Sequence, residues 1–211
     1  MKTFKDFILE SQQRYQSNIP NNIYKLCEQL VRHLNYSALK EFSEQDPNRF
    51  DISKANEAVF IESFKMANTE YQALSTQDYY ASITDKTKWE NLSVKEKADF
   101  DTQYGDIIIV NKDNKVICYI DIKISNKYFG AVSLGSLVNF KEDGVYICIN
   151  KQQKQYRIVS HKDLVQVVKD NPDILKAPVE GKSYKGYSVD WEGEKLTSEY
   201  FVQGKEIAKF S

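Results

Sequence analysis

The strongest constraint on the fold is a pair of apolar segments separated by a polar turn. Residues 106–110 and 116–125 are almost wholly apolar, and residues 111–115 between them read Asn-Lys-Asp-Asn-Lys. Asn and Asp tolerate the unusual backbone angles of tight turns, and the flanking segments alternate as strands do. The pattern predicts a β-hairpin.

Three charged residues interrupt this hairpin. Alternate side chains of a strand point to opposite faces, so Asp121 and Lys123 project side by side, about 7 Å apart at their Cα atoms. If Val110 pairs near Val116, then Asp106, which opens the first strand, lies near Asp121. The sequence therefore predicts two carboxylates and one ammonium group at one end of a sheet.

Composition narrows the class of protein. The chain has 211 residues, 41% of them hydrophobic and 28% charged, which suits one globular domain with a core of its own. It holds no long apolar run, so we expect no membrane partner. Three irregularly spaced cysteines match neither a disulfide framework nor a zinc pattern and favour a reducing environment.

The net charge of -1 excludes a basic protein that coats DNA over its whole surface. The charge is uneven, however. Residues 123–169 contain eight Lys or Arg against three Asp or Glu, a local excess of +5, which leaves -6 for the rest. This asymmetry favours a polyanion bound on one side.

Periodicity predicts a helical first half and a mixed second half. Helical spacing covers residues 22–45 and 51–71, and shorter helices fill residues 76–103, where Ser93-Val-Lys-Glu resembles a capping box. Further elements are expected in the second half: a helix over 129–140, strands over 145–150 and 155–159, and a helix over 160–170 capped by Ser160. The predicted fold class is α/β (α+β), with a central mixed sheet flanked by helices.

The charged hairpin points to a metal ion. Two neighbouring carboxylates repel each other unless positive charge lies between them. Magnesium is bound in proteins by one or two carboxylates together with water and phosphate oxygens. A nearby lysine can then position or help to deprotonate an attacking water.

At this point the residues resemble a known family. Gly105-Asp106-Ile-Ile-Ile-Val followed by Asp121-Ile122-Lys123 is similar to the core of the PD-(D/E)xK nucleases, the restriction-endonuclease-like superfamily. The resemblance implies the restriction-endonuclease-like fold, with Mg²⁺ (or Mn²⁺) held by Asp106 and Asp121 and the hydrolytic water assisted by Lys123. Tyr104-Gly105 stands where the motif has proline, and Asp121 where glutamate is more frequent.

The same family often adds an acid from an upstream helix. Glu62 falls within an apolar stripe of the helix that starts at Asp51, formed by Ile52, Ala55, Val59 and Met66. Glu57 lies near Phe60 and Phe64. A carboxylate within an apolar stripe needs a partner, so Glu62 is the first choice for this third metal ligand and Glu57 the second.

Candidate substrate-binding residues follow the motif and the next strands. Ser125, Asn126 and Lys127 could touch a phosphate. Lys154 and Arg157 could follow a nucleic-acid backbone together with Lys151 and Lys162. A solvated strand end or surface is the alternative. We expect His33 to be structural and His161 to lie on the surface. The C-terminal aromatic residues could stack on bases or form core: Tyr184, Tyr187, Trp191, Tyr200 and Phe201.

The N-terminus carries a second resemblance. MKTFKDFILE followed by Ser11 is similar to the capsid-targeting leader of internal head proteins of T-even-type phages, which a prohead protease cuts after a hydrophobic-x-Glu triplet such as Ile8-Leu9-Glu10. The resemblance implies cleavage between Glu10 and Ser11, residence in the capsid interior, and entry into the host cytoplasm with the genome. Residues 11–211 would then form one nuclease-like domain: 11–103 mostly helical, 104–170 the catalytic core and 171–211 an extension. An ordinary amphipathic N-terminal helix is the alternative.

Together the two resemblances suggest an injected, Mg²⁺-dependent deoxyribonuclease. Two other classes stay open. One is a non-enzymatic inhibitor of a host restriction or defence protein, built on a degenerate nuclease fold, and the other is a structural DNA-associated head protein. An open cleft beside Asp106, Asp121 and Lys123 favours the enzyme, and a buried lysine–aspartate pair without an opening favours a structural or degenerate site.

Overall fold

A computed structural model describes residues 19–40, 47–84, 86–125, 131–150, 155–170, 175–176, 188–190 and 208–209. Several predicted features lie outside these residues. They are the N-terminal leader with Glu10 and Ser11, the candidates Asn126, Lys127, Lys151 and Lys154, and the C-terminal aromatic residues.

Seven α-helices occur in the described ranges: α1 Asn21–Arg32, α2 Arg49–Ala67, α3 Thr76–Ile83, α4 Lys86–Asn91, α5 Val94–Tyr104, α6 Leu134–Asn139 and α7 His161–Asp170. The strands are β1 Tyr71–Ser75, β2 Ile107–Asn111, β3 Val116–Ser125, β4 Ala131–Ser133, β5 Val145–Asn150, β6 Gln155–Ser160, β7 Leu175–Lys176, β8 Ser188–Asp190 and β9 Ala208–Lys209. A short 3₁₀ helix covers Tyr36–Ala38.

The molecule is a mixed α/β protein, as the composition and periodicity predict. Its main sheet has six strands in the order β1-β2-β3-β5-β6-β9. The central neighbours β3 and β5 are parallel, and the other pairs of this sheet are antiparallel. A second sheet has the order β4-β8-β7.

The predicted hairpin is confirmed. Strands β2 and β3 pair antiparallel, with Ile107 opposite Ile120 and Val110 opposite Val116, and the register shifts by a bulge between Ile109 and Val110. The turn contains Asn114 with φ 57, the left-handed conformation that its asparagine-rich sequence anticipates.

Helices cover both faces of the sheet. On one face, α1 and α2 pack on the alternate side chains of β2, β3 and β5 to form the main core, which includes Phe60, Phe64, Ile120 and Ile147. On the other face, Tyr79 of α3 packs against the opposite side chains of β2, which are Ile108 and Val110. Because β2 is buried on both faces, its sequence is a continuous apolar run.

Several local expectations hold. Ser93 and Glu96 form the predicted capping box of α5. Ser160 accepts a hydrogen bond from the Asp163 N–H at 3.0 Å and caps α7.

Others were wrong. The helix predicted from residue 22 to 45 ends at Arg32. The helix predicted to end at Tyr71 gives way to β1, and within the helix predicted over 129–140 the residues Ala131–Ser133 form β4 before α6. Strand pairing within the sheets overrides the local helical pattern in the last two cases.

Candidate active site

The site starts at the junction between α5 and β2. Gly105 ends the helix with φ 77, and a Cβ atom there would lie 2.6 Å from the carbonyl oxygen of Ile120. Only glycine fits such a close approach at this backbone angle. The next residue, Asp106, donates its backbone N–H to the same Ile120 oxygen at 2.8 Å, so its side chain is held at the mouth of the hairpin.

The Asp106 carboxylate lies beside strand β3. Its Oδ2 atom accepts a hydrogen bond from the backbone N–H of Ile122 at 2.7 Å. It also lines a pocket of about 40 Å³ beneath α2, together with Ser53, Asn56, Glu57, Phe60, Ile122 and Ile124. A space of this volume holds a few water molecules at most, and not a nucleotide.

Asp121 and Lys123 are neighbours on β3, as the alternation predicts. The Lys123 Nζ atom lies 2.5 Å from the Asp121 Oδ1 atom. Asp121 is only 6% exposed. Burial raises the pKa of Asp121 to about 7, because the contact with the Asp106 carboxylate adds to it and the Lys123 ammonium only partly offsets it.

The pKa of Lys123 is raised as well, which for a lysine favours the charged form. Burial by itself would lower the pKa of Lys123, but the two aspartates, Asp121 above all, raise it. Lys123 is therefore a fixed positive charge at neutral pH. The predicted convergence of Asp106, Asp121 and Lys123 is present in the structure.

The structure reverses the order in which the sequence ranks Glu62 and Glu57 as candidates for the third acid. Glu57, the second choice, lines the Asp106 pocket and is 5% exposed. Glu62, the first choice, is exposed and lines a different groove. The predicted stripe was the wrong one because its last member, Met66, is 88% exposed, whereas Phe60 and Phe64 face the core beside Glu57.

The surroundings of Glu57 raise the pKa of its carboxyl group. Burial first and then the Asp106 charge raise its pKa to about 7, although Lys54 binds it with an Nζ–Oε2 distance of 2.9 Å.

A fourth acid, Asp101, was not anticipated. It lies in the last turn of α5, and burial raises its pKa, with Asp106 adding to the effect and Lys54 opposing it. Its Oδ1 atom is buried and has no hydrogen-bond partner among the described residues. No motif marks Asp101, and its position one turn before Gly105 is the only signal for it in the sequence.

Formal charges at this end of the sheet do not balance. Four carboxylates, those of Glu57, Asp101, Asp106 and Asp121, interact with two ammonium groups, those of Lys54 and Lys123. If all were ionised, the group would carry -2, so the acids must share protons or receive a divalent cation.

The donor chemistry fits Mg²⁺ or Mn²⁺, since hard cations take carboxylate oxygens and the Asp101 oxygen lacks a partner. The side chains are not gathered into a finished cage, however. Within the described ranges, no three His, Cys, Asp or Glu side chains are close enough together to hold a metal as they stand.

The remaining candidates are spread out. Ser125 ends β3 opposite Asn150, and Arg157 lies in β6 opposite Cys148. Lys162 forms an ion pair with Glu142 at 3.1 Å.

His161 is buried, contrary to the expectation of a surface residue. Its Nδ1 atom lies 3.2 Å from the hydroxyl of Tyr146. Burial lowers the pKa of His161, which is part of the packed interior.

Comparison of the chain with known family models, curated proteins and solved structures finds no match. The geometry of the molecule itself therefore carries the functional argument. None of the described helices combines the length and apolar character that a membrane crossing requires.

Proposed function

We propose that the chain is a divalent-metal-dependent deoxyribonuclease of the PD-(D/E)xK type. The observation that carries the proposal is the meeting of Asp106, Asp121 and Lys123 at one end of the β2–β3 hairpin. Glu57 of α2 faces Asp106 across a small pocket. Charged groups from α2, from the junction of α5 and β2, and from β3 interact around Asp106, an arrangement that a solvated strand would not need.

The roles follow from the chemistry of each group. Asp106, Asp121 and Glu57 would hold Mg²⁺ or Mn²⁺, and Asp101 would add negative charge behind them. A bound cation would polarise the phosphate and lower the pKa of a coordinated water. Lys123, positively charged at neutral pH, would orient the attacking water or stabilise the charge that develops on the phosphate.

The order of the elements supports the same proposal. The resemblance implies a helix, a strand hairpin, a second helix and a further strand; α2, β2–β3, α6 and β5 follow one another in this order, with β1 and α3 to α5 between α2 and β2 and with β4 before α6. The parallel pairing of β3 with β5 places the last strand beside the one that carries Asp121 and Lys123.

We further propose that this enzyme travels in a phage capsid and acts in the host cytoplasm. This part depends on the leader, residues 1–10, and on cleavage by a prohead protease. Mass spectrometry of the protein from purified particles would find Ser11 at the N-terminus. A chain that still begins at Met1 in the particle would contradict the leader.

One observation favours a second function. Asp121 is almost completely buried against Lys123, and the adjacent pocket of about 40 Å³ is too small for a nucleotide. This closure favours a binding protein on an inactive nuclease fold, which would inhibit a host restriction or defence protein. A structural DNA-associated head protein would instead bind DNA without cutting it, and salt would weaken the binding strongly.

The deciding experiment incubates the protein with unmodified host DNA and with modified phage DNA, in the presence of Mg²⁺, Mn²⁺ or EDTA. We expect cutting that requires metal and that Asp121→Asn or Lys123→Ala abolishes. Asp113→Asn, an exposed aspartate in the β2–β3 turn, is the matched control and should cut like the natural sequence.

Absence of cutting by a folded, metal-supplied protein would contradict the enzyme. Capture of a purified host restriction complex by that protein would then identify the inhibitor, and salt-sensitive binding of DNA alone would identify the structural protein.

A further inference from the structure

A second lysine, Lys54 of α2, also lies among the acids of the site. Its Nζ atom donates to the Oε2 atom of Glu57 at 2.9 Å, one helical turn further along α2. Glu57 is 5% exposed, and it lines the same small pocket as Asp106. Lys54 therefore neutralises a carboxylate that the proposed function assigns to the metal.

Lys54 interacts with more acids than the one it binds. Partial burial by itself would lower the pKa of Lys54, but the charges of Glu57, Asp101 and Asp106 raise it. Lys54 is thus positively charged at neutral pH and is attracted by acids of three segments. Within the described residues, however, its only ion pair is the one with Glu57.

Lys54 can leave its partner more easily than Lys123 can. The side chain of Lys54 is 53% exposed, whereas that of Lys123 is only 27% exposed. An ion pair that includes an exposed lysine changes an equilibrium constant by about fivefold or less, because water competes for the ammonium group. A divalent cation that binds Glu57 can therefore displace Lys54 at a small cost.

Asp101 offers a second acceptor for the same ammonium group. It lies in the last turn of α5, and its Oδ1 atom is buried without a hydrogen-bond partner among the described residues. Such an oxygen is rare in folded proteins, because it has lost its hydration without compensation. The charge of Lys54 already acts on Asp101, although the two groups form no ion pair.

We propose that Lys54 is a positioning residue that exchanges one carboxylate for another when the metal binds. Without metal, its ammonium group holds the carboxylate of Glu57. When a divalent cation binds Glu57, the ammonium group moves to the Oδ1 atom of Asp101. This exchange rests on the proposed function, since it needs a metal held by Glu57 and Asp106, and it assigns Asp101 to the lysine.

Electrostatics favours the exchange. A divalent cation held by Glu57 and Asp106 would repel an ammonium group that stayed on the same carboxylate. Movement to Asp101 separates the two positive charges, keeps Lys54 paired with an acid, and gives the buried oxygen a donor.

The test is a double-mutant cycle on metal affinity, measured without DNA by calorimetric titration of Mn²⁺ into the full chain at pH 8. We expect Lys54→Met to bind Mn²⁺ about fivefold more tightly, because no ion pair has to be broken. Asp101→Asn should bind it about fivefold more weakly, because the displaced ammonium group loses its acceptor. In the Lys54→Met background, Asp101→Asn should change the dissociation constant by less than about twofold.

Two further variants guard the interpretation. Lys54→Gln keeps a hydrogen-bond donor for Glu57 and should tighten Mn²⁺ binding in the same direction as Lys54→Met. Lys65→Met replaces an exposed lysine of the same helix that lines a different groove. It is the matched control and should leave the dissociation constant unchanged.

Equal or weaker Mn²⁺ binding by both Lys54 variants would overturn the exchange. So would a loss in Asp101→Asn that persists undiminished in the Lys54→Met background, since Asp101 would then bind the metal itself. In both cases the natural chain still binds Mn²⁺, and the metal site of the proposed function stands. A natural chain that binds no Mn²⁺ would overturn the metal site and the exchange together.

Discussion

The two sides of helix α2 place the same amino acid in opposite environments. Glu57 is buried beside Asp106, and its pKa is raised to about 7, whereas Glu62 is exposed and lines a separate groove along β1. Five residues separate them, which corresponds to a rotation of about 140° around the helix. The comparison shows that a carboxylate becomes a candidate ligand through what faces it, and not through its position in an apolar stripe.

The two sides also differ in how charge is balanced. On the Glu57 side, Asp106 interacts with charged groups of α2, α5 and β3, which include the ion pairs Lys54–Glu57 at 2.9 Å and Lys123–Asp121 at 2.5 Å. On the Glu62 side, Lys65 has no ion pair among the described residues. Changes on the first side should therefore act on stability and metal binding, and changes on the second side should leave both nearly unchanged.

The largest expected effect is that of Lys123→Met. It leaves the buried Asp121 carboxylate without its ammonium partner, which should lower the free energy of unfolding by about 3 kcal/mol at pH 8. Urea denaturation measures the loss. Lys65→Met on the opposite side is the control and should stay within about 0.5 kcal/mol of the natural chain. Equal losses would abolish the distinction between the two sides.

Divalent metal should have the next largest effect. Because a ligand that binds the folded state stabilises it by mass action, Mg²⁺ or Mn²⁺ at about 100 times its dissociation constant should add about 2.7 kcal/mol. Thermal unfolding with and without metal at pH 8 measures the shift. Asp106→Asn should abolish it and Glu62→Gln should preserve it. A shift that is lost in Glu62→Gln would place the cation on the other side of α2.

The pH dependence of stability should be unusual. A carboxyl group whose pKa is raised by folding keeps its proton in the folded state over a range where the unfolded chain has released it, so stability falls as the pH rises through that range. For Glu57 the range runs from 4.5 to about 7, and for Asp121 from 3.8 to about 7. Without metal, denaturation at a series of pH values should show this decline, and bound metal should reverse it.

The smallest expected effect is a gain. Glu57→Gln removes a buried charge that Asp106 repels, and it should stabilise the metal-free protein by about 1 kcal/mol at pH 8 while flattening the decline between pH 5 and 7. Glu62→Gln should change neither the stability nor the slope. A destabilised Glu57→Gln variant would show that the bond with Lys54 outweighs the repulsion.

Sequence reasoning succeeded where the signal was local. The turn residues, the alternation of β3 and the length of the hairpin were sufficient to predict that Asp106 would lie near Asp121 and Lys123. It failed where the answer depended on packing. The sequence of α2 is compatible with either of two stripes packing on the core, and the local pattern does not distinguish between them.

Asp101 and β1 were missed for a related reason. Asp101 is an unremarkable polar residue of α5 until the helix is seen to end above Asp106. Residues 71–75 form a strand because the adjacent strand β2 pairs with them, and a partner 32 or more residues away leaves no trace in a short window.

The sequence by itself determined the hairpin, its register and the identity of its three charged groups, because alternation and turn chemistry act over a few residues. Only the tertiary structure decided which glutamate joins them, that Asp101 lies behind them, and that β1 presents an outer edge. Those facts depend on how separate elements meet, since burial and electrostatic repulsion arise between residues that are distant in the chain.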